Sequence, residues 1–275
     1  MSTEQTVVGH YTFPQLEKTI IDAIKRAGKN PAQITYLDVV PVDEFHVGGI
    51  EATRDLAGQM DLQKGQRLLD VGCGIGGPAR FFAAEYGCQV TGVDLTPEFV
   101  RAAGTLTRMV KLDSLVTFKE GSGLALPFEK SEFDRASMIH VGMNIPDKAG
   151  VFREVRRVLK PGGLFAIFDL MSVSAGTLEF PVPWAISAED SFVAHADSYR
   201  ADLQAAGFHM ERQRSRRAFA IEFSEQMMAR VAQGGPPALG LHLLMRERTP
   251  LMLKNVLAAM KKGLLDPIEM VARAV

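Results

Sequence analysis

The order of apolar and polar positions divides the chain into three stretches of different character. From Phe13 to Ala27, apolar residues fall at Leu16, Ile20, Ile21 and Ile24. That spacing lays out one face of a helix, which Gly28 and Pro31 end. Ile34 to His46 has no clean period and reads as a mixed connector holding Tyr36, Pro41 and the acidic pair Asp43-Glu44, while Gly48 to Met60 reads as another helix. From Arg67 onward short apolar runs take over. Arg67–Val71, Gln89–Asp94, Val116–Glu120, Arg135–His140 and Leu164–Leu170 predict strands, the last introduced by the turn Lys160-Pro-Gly-Gly163. Helical stretches separate them at Pro78–Tyr86, at Pro97–Met109 and in the run that ends at Val158. Strands that alternate with helices imply a parallel sheet covered on both faces.

The regularity breaks after Met171. Ser172 to Ile186 contains Gly176, Pro181, Pro183 and the only tryptophan, Trp184. Long loops in α/β proteins tend to serve function. Ala188–Ala206 predicts a helix stopped by Gly207, and His209–Ala218 a sixth strand. Ile221–Ala232 and Leu239–Lys262 read as helical on either side of Gly234-Gly-Pro-Pro237, and Ile268–Val275 returns as a seventh strand. The expected fold class is therefore α/β, a Rossmann-like, seven-stranded, mostly parallel sheet with helices on both faces. Residues 1–60 form a helical N-terminal cap in this reading and residues 61–275 the main domain. Within it, 172–190 and 219–265 serve as lid or insertion segments, the second placing a helical insertion before the last strand.

Composition narrows the function classes. A formal net charge of −1 over 275 residues argues against a nucleic-acid binder held by a general electrostatic field. Cys73 and Cys88 are the only cysteines, too few for a disulfide framework or a metal set. The N-terminus lacks the layout of a signal peptide and no apolar run approaches bilayer length, so a cytoplasmic protein without a membrane partner is expected. A homodimer is compatible with the sequence.

The chemistry centres on Gly72-Cys-Gly-Ile-Gly-Gly77, between the first strand and a helix that Pro78 opens. Strand, glycine turn and helix bring backbone N–H groups and a positive helix end against a ligand. Gly72, Gly74 and Gly77 fit the spacing of a dinucleotide site, and Gly72, Gly74 and Gly76 a tighter one. Asp94 ends the second strand, where a carboxylate accepts both ribose hydroxyl protons; the same residue can instead cap the helix at Pro97. Cys73 is read as filling space inside the turn. His140, at the carboxyl end of the fourth strand, is the candidate for a base that takes a proton from the substrate or orients it; in the alternative reading only its backbone touches the ligand held by the glycine turn. His46 in the cap connector is the second candidate. Met143 and Asn144 follow His140 closely, Trp184 offers an apolar, cation-tolerant wall, and Tyr36 is a further candidate for pocket lining. Alternation puts Arg212, Arg214 and Arg216 on one face of the sixth strand, read as solvated.

Taken together, five segments resemble the class I S-adenosylmethionine-dependent methyltransferases. They are Leu-Asp-Val-Gly-Cys-Gly-Ile-Gly-Gly (69–77), Val-Thr-Gly-Val-Asp-Leu-Thr (90–96), Leu-Pro-Phe (126–128), Glu-Phe-Asp-Arg (132–135) and Leu-Lys-Pro-Gly-Gly (159–163). Phe45-His-Val-Gly-Gly-Ile-Glu-Ala-Thr53 and His140-Val-Gly-Met-Asn-Ile-Pro-Asp-Lys148 look like the small-molecule branch that includes sarcosine/dimethylglycine N-methyltransferases. The resemblance implies S-adenosylmethionine as cofactor and a small-molecule acceptor, first an amine nitrogen. A phenol or quinone methylated at oxygen or carbon stays open. It implies that Gly72 and Gly74 approach the methionine part, that Asp70 supports the loop, that Asp94 holds the ribose, and that Leu95 covers one adenine face. Ser122, followed by Gly123, stands where the family usually has an aspartate that meets the adenine amino group. From other classes, a nicotinamide-dependent dehydrogenase would use the same glycine turn, and a cofactor-binding protein without catalysis would keep the whole site.

Overall fold

The computed structural model describes residues 2–275. Four helices precede the sheet: α1 (Thr3–Tyr11), α2 (Leu16–Arg26), α3 (Tyr36–Asp43) and α4 (Gly49–Ala57). Then β1 (Arg67–Val71), α5 (Gly77–Tyr86), β2 (Gln89–Asp94), α6 (Pro97–Met109), β3 (Val116–Glu120), β4 (Phe133–Ile139), α7 (Lys148–Val158) and β5 (Leu159–Ser172) alternate as the pattern predicts. The remainder is α8 (Ala196–Ala205), β6 (Phe208–Ser215), α9 (Arg217–Gly234), α10 (His242–Met245), α11 (Thr249–Lys261) and β7 (Leu265–Ala274).

The seven strands lie in the order β3-β2-β1-β4-β5-β7-β6. β1 to β5 run parallel, and β7 enters antiparallel between β5 and β6. Successive strand residues feed opposite faces, as the pleat requires. Leu69, Val71 and Ile167 pack against α7 and α8 through Val151, Phe152, Val155, Tyr199 and Leu203. Leu68, Val90 and Ala166 pack on the other face against Leu56, Ala79, Phe81 and Phe82 of α4 and α5. A third cluster joins α2 and α3 to α6 through Ile20, Ile24, Val42, Phe99 and Leu106. A fourth sets α9 and α11 over Met143, Leu170 and Trp184. Among the described residues no helix is long and apolar enough to cross a membrane.

Four local expectations change. The connector before His46 is largely helix α3, with Pro41 inside it. Thr35 and Asp38 form a capping box at its start, the Thr35 N–H donating to Asp38 Oδ2 at 2.7 Å, and this outweighs the single bond a proline removes from so short a helix. The helix expected over 188–206 is a 3-10 turn at Ala188–Asp190 and a separate α8, capped by His195. α1 was absent from the pattern because none of its residues is buried, so no apolar stripe marks it. Arg216 is not on a solvated face. β6 ends at Ser215 after a register shift between Met210 and Arg212, and Arg216 turns inward to pair with Asp55 at 2.5 Å and Glu269 at 3.1 Å.

Candidate functional site

A cavity of about 450 Å³ opens at the carboxyl ends of β1 to β5, within the ~300–1,000 Å³ usual for small-molecule sites. Its floor is the turn after β1. Gly72 has φ +69°, and a side chain there would collide with Val141. Gly74 has φ +52° and nothing within 4 Å of the position a Cβ would take, so its backbone lies bare to a ligand. Arg80, fully buried, fastens the turn from below: its guanidinium donates to Ile75 O and Asp43 Oδ2, both at 2.7 Å, and to Thr107 Oγ1 at 2.9 Å. Burial pushes Asp43 up to about 6 despite that partner. Cys73 is buried in the turn beside Gly92, with its thiol pushed far up by burial.

Asp94 reaches back over the turn. Its Oδ2 accepts the Gly74 N–H at 2.9 Å and its Oδ1 the Thr96 N–H at 2.9 Å. Each oxygen keeps a further lone pair for a ligand hydroxyl. Burial raises the carboxyl above its ordinary range. Thr96, the residue before α6, makes no side-chain cap. Asp70 lies at the end of β1, with Oδ1 accepting the Ser137 hydroxyl at 2.7 Å and a buried Oδ2 that has no partner. Burial pushes it up to about 7. Leu95, Ser122 and Gly123 line the same cavity on the β2–β3 side.

His140 stands at the opposite edge. Its backbone takes φ +54° and its N–H donates to Phe168 O at 2.7 Å, which turns the ring into the cavity lining. Nε2 is buried and without a partner, and burial, then the nearby His46, drives the pKa well below 6.5, so the ring is neutral. The His46 ring lies 5.7 Å away, centroid to centroid. His46 Nε2 sits 2.7 Å from Glu44 Oε2, which also accepts the Thr53 hydroxyl at 2.6 Å. Both histidines therefore face the cavity, one fixed by a carboxylate and one with a free nitrogen.

Beyond them the wall turns apolar: Met143, Leu170, Trp184, Met227, Leu244 and Val256 line it. Trp184 is 4% exposed and spends its indole N–H on Ser191 Oγ at 2.9 Å, leaving the ring itself as surface. Asn144 also lines the cavity, its Oδ1 accepting the Tyr11 hydroxyl at 3.2 Å. Tyr36 is the exception among the sequence candidates. It is the first residue of α3, packs outside the cavity and gives its hydroxyl to Glu85, so it does not line the pocket. The sequence reading missed Glu4 and Tyr11 of α1, Phe45, and Phe223 of α9, all of which line the cavity. Only α1 left a signal, the pair Ser2 and Gln5 whose side chains cap each other's backbone.

The charge of the lining is one-sided. Glu4, Asp43, Asp70 and Asp94 contribute carboxylates, and among the described residues neither lysine nor arginine lines the cavity.

Residues 69–167 match the family described as Methyltransferase domain. Methyltransferase GfsG of Streptomyces halstedii is 31% identical over 178 residues, 63% of this chain and 63% of that protein. Sterol 24-C-methyltransferase ERG6B of Gibberella zeae is 37% identical over 114 residues, 42% of this chain and 30% of its own length. The chain thus spans less than two thirds of either relative. A Galdieria sulphuraria structure described as a sarcosine dimethylglycine methyltransferase superposes with a TM-score of 0.70 at 24% identity, covering 82% of this chain and 85% of that one.

Proposed function

We propose that this chain, a class I methyltransferase in its fold and in the domain at residues 69–167, transfers the methyl group of S-adenosylmethionine to an apolar small molecule. The observation that carries the reading is a cavity joining the bare glycine corner and Asp94 to an apolar chamber, with carboxylates but, among the described residues, no cationic side chain on its walls. A pyrophosphate would find the glycine-corner amides, but Asp94 Oδ2 already takes the Gly74 N–H and no cationic side chain among the described residues offsets Asp70 and Asp94, which counts against a nicotinamide dinucleotide. A sulfonium and a methionine ammonium are both cations and suit the same walls.

When bound, the cofactor supplies a methyl group already activated on positive sulfur. The chain's own residues do the rest. Asp94, held by two backbone N–H groups, offers its remaining lone pairs to the ribose hydroxyls. Asp70 Oδ2, buried and unpartnered, accepts from the ammonium. Gly74 lets the backbone approach without a side chain between. The apolar chamber excludes water and aligns the acceptor, an effect worth roughly 7–11 kcal/mol of barrier in well-oriented systems. His140 Nε2, neutral and unpaired, takes the proton that the acceptor loses.

The lining also bears on the acceptor. An amino acid such as sarcosine would bring a carboxylate into the apolar chamber, away from the backbone N–H groups of the glycine corner, where no cationic side chain among the described residues lines the wall. An uncharged acceptor methylated at oxygen or carbon fits better than the amine suggested by the sequence segments, and a sterol, on which the Gibberella relative acts, is one such body. The test has two stages. Calorimetry with S-adenosylmethionine and with NAD should show binding of the first alone. A labelled-methyl screen over phenols, quinols, isoprenoids, sterols and amines should then give product with an uncharged apolar acceptor. Binding of NAD instead of S-adenosylmethionine refutes the cofactor, and transfer confined to amino acids refutes the acceptor class.

A further inference from the structure

The end of the cavity away from His140 lies between β2 and β3, and its polar equipment comes from a distant part of the chain. Glu4, in the first turn of α1, accepts the hydroxyl proton of Ser122, a residue 118 positions away. The Leu124 N–H donates to Ser122 Oγ at 3.0 Å, so the relay runs one way: amide to hydroxyl to carboxylate. Glu4 is therefore the terminal acceptor, and its second oxygen is available to a donor in the cavity, whose lining includes the residue. Asp94 is committed to the sugar in the reading above, which leaves Glu4 as the carboxylate at this end. Leu95 and Phe99 add apolar surface to the lining of the same cavity, the setting a flat heterocycle needs.

We propose that Glu4, oriented by Ser122, reads the exocyclic amino group of the cofactor's purine and thereby selects adenine over a 6-oxopurine. The inference rests on the methyltransferase reading of the site. A serine hydroxyl alone makes a weak, undirected contact, whereas a carboxylate brought in by α1 accepts an N–H with charge assistance. It repels the carbonyl oxygen that a 6-oxopurine carries at the same point. Because the acceptor sits on α1, recognition of the base also draws that helix across the cavity. Two other bonds hold it there: the Tyr11 hydroxyl to Asn144, and His10 Nε2 to Pro183 O at 3.0 Å.

The experiment compares S-adenosylhomocysteine with S-inosylhomocysteine, in which oxygen replaces the amino group, by calorimetry on the full chain. Wild-type protein should prefer the adenosyl compound by about 10- to 100-fold. Glu4→Ala should reduce that ratio to below about threefold, and Glu4→Gln, which can donate to the carbonyl, should reduce or invert it. Gln5→Ala removes part of the α1 cap on the exposed side and should leave the ratio intact. Asp94→Ala should weaken both compounds alike. An unchanged preference in both Glu4 variants overturns the assignment while leaving the cofactor in place. Wild-type protein that binds neither compound overturns the methyltransferase reading, and this one with it.

Discussion

Removal of the Asp94 carboxylate separates binding from folding. Asp94→Ala deletes the acceptor of the Gly74 and Thr96 N–H groups, both bonded at 2.9 Å, and the acceptor proposed for the ribose hydroxyls. The two effects differ in size. The orphaned amides border a cavity of about 450 Å³ that water can enter, and the variant no longer buries a carboxyl whose pKa is raised by desolvation. The folding cost is thus held to about 1–2 kcal/mol. Hydrogen bonds to a charged acceptor contribute about 1.5–3 kcal/mol each. Two of them, discounted for the water that replaces them, predict a loss of about 2–4 kcal/mol in binding, or about 30- to 1,000-fold in Kd. Calorimetric titration with S-adenosylhomocysteine reads this directly, with a melting curve to confirm the fold. Asp94→Asn keeps one carbonyl oxygen and should fall between. A Kd within threefold of wild type in a folded Asp94→Ala protein would refute the ribose assignment and with it the argument from the glycine corner.

Three further outcomes follow from the same geometry. His140→Asn, chosen because asparagine tolerates the positive φ of this position, should lower kcat by about 10²–10⁴-fold with less than a threefold change in the Kd for S-adenosylhomocysteine; unaltered turnover would restrict His140 to its backbone contact. Arg80→Met strands the buried Asp43 carboxyl and should cost about 3–5 kcal/mol, a fall in Tm of about 6–20 °C, and a melt at the wild-type temperature would contradict it. Asp70 is pushed up to about 7 in the folded protein against 3.8 for the free side chain, so its stabilising effect is fullest at low pH and is lost as pH rises through 7. Asp70→Asn should therefore stabilise the ligand-free protein increasingly from pH 4 to pH 7, by up to about 1.4 kcal/mol per pH unit, with no further gain above. Denaturant titrations at pH 5 and pH 8 that give the same difference would refute it.

The alternating half of the chain was the most readable because burial on both sheet faces leaves short apolar runs that only strands explain. β1, β2 and β3 begin and end where the pattern put them. β5 starts earlier than expected because Leu159 already pairs with Phe133 of β4, before the Lys160-Pro-Gly-Gly stretch interrupts the register. The glycine corner and Asp94 were legible for a local reason: their chemistry is set by neighbours in sequence. Tyr36 was misplaced because nothing local distinguishes an aromatic that faces a cavity from one that meets Glu85. Glu4 was invisible for the opposite reason, since its partner Ser122 is far along the chain and α1 buries no apolar face to announce itself. The motifs therefore marked the glycine floor of the cavity better than the roof above it.

The position of β7 has a consequence for biosynthesis. β6 follows β5 in the chain but pairs with β7, which follows every other strand. As the polypeptide leaves the ribosome, β1 to β5 can assemble in turn, each beside a neighbour already present, while β6 waits with both edges unpaired until β7 has been translated. During that interval the outer edge of β5 is open as well, and unpaired edges recruit strands from other chains. Premature termination anywhere between β6 and Leu265 would leave both edges exposed, so such nascent fragments should depend heavily on chaperones to stay out of aggregates.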